Sequence, residues 1–118
     1  MSHSAHRAPK PLSRELAGEV ADVMQALATP SRLLILDRLR AGPCSVGELM
    51  VAIGMEQSAI SHQLRLLRHL GLVVGQREGR RVIYALHDSH VGDLLEEAIG
   101  HTEHVRLRDR SASRANAS

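Results

Sequence analysis

The segment SVGELMVAIGMEQSAISHQLRLLRHLGL, residues 45–72, constrains the fold more than any other part of the chain. It holds two stretches with apolar residues at three- and four-residue steps, separated only by IGME. Ser45 followed by Glu48 is a capping-box pattern, in which each residue satisfies a backbone N–H of the other at a helix start. Leu49, Met50 and Ile53 then share one face, and Gly54 ends that helix. In the second stretch Ile60, Leu64, Leu67 and Leu70 form an inner face, and Gly71 stops it. Two short helices joined by so tight a turn form a helix-turn-helix arrangement.

The flanks extend the pattern in both directions. Residues 1–12 are polar and contain Pro9 and Pro11, which predicts a flexible arm. Ser13 is a candidate N-cap, and Leu16, Val20, Val23, Met24 and Leu27 line one face of a first helix. That helix should stop near Ala28, because Thr29 precedes Pro30. Pro30 suits the first turn of the next helix. Its Leu33, Leu34, Ile35, Leu36 and Leu39 make it apolar on most sides and therefore central. After the helix pair, two short strands are expected, Leu72–Gln76 and Val82–Leu86, with a hairpin turn near Glu78-Gly79. A last helix starts at Asp88 or Ser89 and runs to about Leu107, followed by a small, polar, disordered tail over 108–118. The expected order is α-α-α-α-β-β-α, mainly α with a β-hairpin, in one domain over 13–107. No internal repeat is visible.

With only 118 residues, one small domain is all the chain can build. Aromatic residues make up 1%, and Tyr84 is the one example, so the core must be aliphatic. A single cysteine, Cys44, rules out an internal disulfide framework and a thiolate metal cluster, and fits a reducing cytoplasm. No apolar run approaches the ~20 residues that a membrane span needs. The N-terminus has no apolar core of the secretory-signal kind. The formal charge is +2 and the sequence pI is near 9.3, a balance that permits nucleic-acid binding.

The second helix of the pair supplies what reading a major groove requires. An apolar inner face holds it rigid, and short donors and acceptors stand at its N-terminal end. Gln57, Ser58, Ser61, His62 and Gln63 are those groups, and Arg65 and Arg68, further along, suit phosphates. The hairpin carries Arg77, Arg80 and Arg81 around its turn, as a wing gripping the DNA backbone would. A metal-dependent enzyme is not expected: there is no HExxH, and no Ser-His-Asp set can be argued.

ALATPSRLLILDRLRAGP, then ELMVAIGMEQSAISHQLRLLRHLGLV, then EGRRVIYAL together resemble the ArsR/SmtB family of dimeric winged-helix metal-sensing regulators. The resemblance covers roughly residues 13–107, and SAISHQLRLLR is its most specific part. It implies a winged helix-turn-helix, a homodimer joined through the first and last helices, a partly palindromic operator, and an inducer that changes DNA affinity. One branch of the family holds soft metals with a Cys-x-Cys pair in the third helix. SVGELMVAI has no cysteine, so that site is absent.

The last helix carries a different donor set. At about 100° per residue, Val91, Leu94, Leu95, Ala98, Ile99, Thr102 and Val105 gather on one side, and His90, Glu97, His101 and His104 on an adjoining stripe. His101 and His104, three apart, can share an ion. His90 lies eleven residues before His101, roughly 16 Å along the axis, too far for one helix to close a site with bonds of ~2 Å. Two antiparallel copies crossing near Glu96 would bring Asp88 and His90 of one chain to His101 and His104 of the other, giving two equal sites per dimer. Asp-x-His, ten residues, then His-x-x-His resembles the interfacial site of the family's NmtR-like nickel- and cobalt-sensing branch. In that branch an early histidine and the N-terminus join the coordination, which makes His3 and His6 further candidate ligands. Nitrogen and oxygen donors suit Ni(II), Co(II) or Zn(II), four favouring Zn(II) and six Ni(II) or Co(II). If Met1 is retained, Met-Ser-His offers a separate square-planar chelate. His62 is read as a DNA contact, and His69 and His87 as isolated structural or exposed residues. Two alternatives stay open: a winged-helix regulator controlled by a partner protein, and a nickel buffer or carrier.

Overall fold

The computed structural model describes residues 10–117. Five helices and three strands follow in the order α1 (Arg14–Ala26), α2 (Pro30–Arg40), β1 (Cys44–Ser45), α3 (Val46–Ile53), α4 (Gln57–His69), β2 (Val73–Glu78), β3 (Arg81–Leu86) and α5 (Ser89–Ala117). The expected helices are present with their local causes. Ser13 and Thr29 cap α1 and α2 through their hydroxyls, and Pro30 opens α2. Ser45 and Glu48 form the reciprocal capping box of α3. Gly54 and Gly71, with φ of +79° and +74°, let the chain leave α3 and α4 through the left-handed region.

The core sits where α2, α3, α4 and the start of α5 meet. Ile35, Leu36, Leu49, Ile60, Leu64, Leu67 and Leu95 are its largest fully buried side chains. It is aliphatic, as the lack of aromatic residues demands. Helix α1 reaches this core only through its last turns, by Val23, Ala26 and Leu27.

Three observations correct the sequence reading. First, the sheet has three strands in the order β1-β3-β2. Cys44 and Ser45 pair antiparallel with Tyr84 and Ile83, a strand too short to leave a period-two pattern. Second, the hairpin strands run longer at their turn ends than expected, through Glu78 and from Arg81, leaving a two-residue loop of Gly79 and Arg80. Gly79 supplies the positive φ, +65°, that such a tight loop needs. Third, the segment expected as a disordered tail is helical through Ala117. No glycine or proline follows Gly100, and arginine and alanine are good helix formers, so nothing local stops the helix.

Tyr84, the one aromatic residue, faces Gly75 across the hairpin. A Cβ added at Gly75 would stand 3.0 Å from the Tyr84 ring and 3.1 Å from Val82. The glycine is therefore the seat for the ring, which stiffens the wing base. No helix is long and apolar enough to cross a membrane among the described residues.

Candidate DNA interface and metal centre

Helix α4 is fixed from behind by Ile60, Leu64 and Leu67, all buried. On its outer side Gln57, Ser58, His62, Arg65 and Arg68 are exposed, and Ser61 is half-buried. Its N-cap, Glu56, gives no side-chain hydrogen bond, so the first-turn N–H groups are left open for acceptors such as phosphate oxygens. Gln63 differs from the others: half-buried, it accepts a hydrogen bond from Arg32 Nε at 2.7 Å.

The wing stands beside this helix. Arg77, Arg80 and Arg81 are exposed on or next to the turn. Between α3 and the hairpin runs a groove of about 850 Å³, lined by Arg38, Arg80, Arg81, Gln57 and Tyr84 among others. Glu48 also lines it, with its carboxyl held below the usual range by the Ser45 backbone N–H and hydroxyl, and further by Arg81 and Arg38. Arg38 was not among the sequence candidates. Its signal was an arginine near the end of a helix otherwise read as central; in the structure its Nη1 donates to the Gly42 carbonyl at 3.5 Å.

The donors of the last helix fall into two groups. At the N-terminal end, Asp88 precedes the first turn of α5 and its Oδ1 accepts the His90 N–H at 2.9 Å. His90 Nδ1 lies 3.5 Å from the same oxygen, and the His90 side chain is 90% exposed. His87, read as isolated, instead places Nδ1 3.1 Å from Asp88 Oδ2. These contacts, His87 first and then the His90 and Val91 N–H groups, hold Asp88 below the usual carboxylate range and keep it an anion. His101 and His104 lie further along α5 and are exposed. Among the described residues, no three metal-capable side chains converge within the single chain. His3 and His6 lie outside the described residues. Cys44 is fully buried, and burial raises its thiol, so it offers no thiolate ligand.

Beside the donors is an unfilled apolar surface. Leu16, Val20 and Met24 on α1, Leu33 and Leu34 on α2, and Ile99 and Val105 on α5 are all exposed. A groove of about 490 Å³ between α2 and α5 joins part of it, lined by Leu33, Leu34, Leu95, Ala98 and Ile99 among others. Of the apolar side of α5, only Val91 and Leu95 are buried against the chain's own core.

Comparison with known proteins agrees with this layout. Residues 29–74 match the family described as bacterial regulatory protein, arsR family. The chain is 60% identical over 102 residues to the HTH-type transcriptional regulator NmtR of Mycobacterium tuberculosis, covering 86% of this chain and 85% of that protein. The chain belongs to the ArsR/SmtB family of transcriptional regulators. The winged-helix fold of this ArsR/SmtB chain is shared with the solution structure of apo-NmtR at a TM-score of 0.69 and 58% identity, over 88% of this chain and 87% of that one. It is shared also with a homodimeric winged helix-turn-helix DNA-binding domain from Mycobacterium bovis, at a TM-score of 0.73 and 35% identity, over 79% of this chain and 87% of that one.

Proposed function

We propose that the chain is a metal-responsive transcriptional regulator of the cytoplasm that binds a partly palindromic operator as a homodimer. Its ion is Ni(II) or Co(II), with Zn(II) as the alternative, held between subunits at the last helices. One observation carries the metal part: Asp88 and His90 stand paired at the start of α5, and His101 and His104 lie further along the same helix, beside an apolar stripe that the chain's own core leaves uncovered beyond Leu95. Two copies crossing antiparallel would cover the stripe and unite the two half-sites.

The donor set fits such an ion. An ionised carboxylate and three exposed imidazoles give hard and borderline ligands with no thiolate. His87 holds one oxygen of Asp88, which leaves the other beside His90. That is the orienting role a second partner plays around a ligand. His3 and His6 of the arm are the candidates for raising the donor count to six. Bound metal would tie the two α5 helices together, and with them the spacing of the two α4 helices that read successive half-sites.

The test is His101→Ala combined with His104→Ala, read by Ni(II) and Zn(II) titration and by sedimentation. The expected variant loses inter-subunit metal binding but still dimerises and binds DNA. Metal affinity equal to that of the parent chain would rule out this ligand assignment.

A further inference from the structure

Arg32 lies on α2 among residues that build the core, and a half-buried guanidinium there needs partners. It has two, on different helices. Its Nε donates to Gln63 Oε1 on α4 at 2.7 Å. Its Nη1 donates to the Gln25 carbonyl near the end of α1 at 3.3 Å. One side chain on α2 thus bridges α1 and the recognition helix, and α1 otherwise reaches the core only through its last turns.

The chemistry of the contact adds a direction. A guanidinium has donors and no acceptor, so it can engage only the carbonyl end of the Gln63 amide. The amide oxygen is therefore held on Arg32, which leaves the NH2 as the group able to meet an acceptor. We infer that Arg32 is a positioning residue for DNA recognition. Its fork braces α4 against the end of α1 and presents Gln63 as a hydrogen-bond donor. Gln63 then seeks acceptors, such as guanine O6 and N7 or thymine O4. It is unsuited to the two-pronged adenine contact that also needs its oxygen. This rests on the DNA-reading function proposed above. The fork matters here rather than the charge, because two of its donors are held at once by oxygens on two other helices. Lysine keeps the charge without the fork.

The experiment uses the full chain and the duplex it enriches from a randomised pool, with a scrambled duplex of equal length as reference. Arg32→Lys and Arg32→Ala are each expected to weaken the enriched duplex about tenfold, the size of one lost oriented contact. Binding to the scrambled duplex should stay within about threefold, and the salt slope should not change. Adding Gln63→Ala to Arg32→Lys should cost nothing further, since the two act as one unit. Gln63→Ala alone leaves α2 intact and should relax discrimination by the same factor, which covers the case of an Arg32 variant that does not fold. Parent-like discrimination in Arg32→Lys would overturn the inference. So would additive losses, or a salt slope lowered by about one, the mark of a direct phosphate contact. A parent chain that enriches no duplex would instead overturn the DNA-reading function itself.

Discussion

Ser45 shows how much one side chain can hold. Its hydroxyl accepts the Glu48 N–H at 3.2 Å, and its own N–H donates to Glu48 Oε1 at 2.8 Å. Its backbone also pairs with Ile83 of β3, so one residue starts α3 and ties it to the wing. Ser45→Ala is expected to lower stability by about 1 kcal/mol at neutral pH, the usual cost of a lost cap, measured by urea unfolding. The Glu48 half of the box is pH-dependent. Its folded value lies below the ordinary one, so its contribution is full above the ordinary glutamate range. It is lost as pH falls through the depressed folded value. The capping box was legible in the sequence because it is a local pattern of fixed spacing. The Arg32–Gln63 contact, spanning 31 positions, was not. Its trace was a charged residue in a helix otherwise read as apolar and central, which demands a partner without naming one. His87 is exposed, as expected, but it is not isolated: it pairs with its neighbour Asp88.

At the scale of elements, the wing and the last helix show where periodicity informs and where it misleads. The hairpin was legible from two β-rich runs around a glycine turn. Its third partner, Cys44–Ser45, is two residues long and has no period to read. The α5 stripe was legible because a 3.6-residue repeat separates apolar positions from histidines over five turns. Its end was missed because small polar residues suggest a coil, yet a segment without glycine or proline extends a helix already begun. The backbone-gripping role proposed for the wing has a direct consequence. Arg80→Ala with Arg81→Ala should weaken binding to all duplexes alike and reduce the salt slope by up to about two, from two lost phosphate contacts. A loss confined to particular base pairs, seen by comparing duplexes at fixed salt, would mean that the turn reads bases.

At the scale of the whole molecule, two surfaces of opposite chemistry stand apart. The face of α4 and the wing is polar and arginine-rich. The face of α1, α2 and α5 is apolar, with Met24 51% and Leu34 53% exposed. On the proposed account, a second copy covers the apolar face and fixes the distance between two DNA-reading helices, while the histidines at its edge make that distance metal-dependent. The family was legible from the helix-turn-helix segment and the hairpin together. The proposed metal half-sites rest on a spacing that the sequence displays, and their proposed union needs two chains, which no single-chain pattern can show. The measurement that tests this most directly is affinity for the enriched duplex at fixed salt, with and without one equivalent of Ni(II) or Zn(II) per chain. The account predicts that metal shifts the affinity by roughly 5- to 150-fold, the range of typical coupling between two sites, and that the shift vanishes in the His101→Ala, His104→Ala variant. An affinity that metal leaves unchanged, while metal still binds at those histidines, would contradict it.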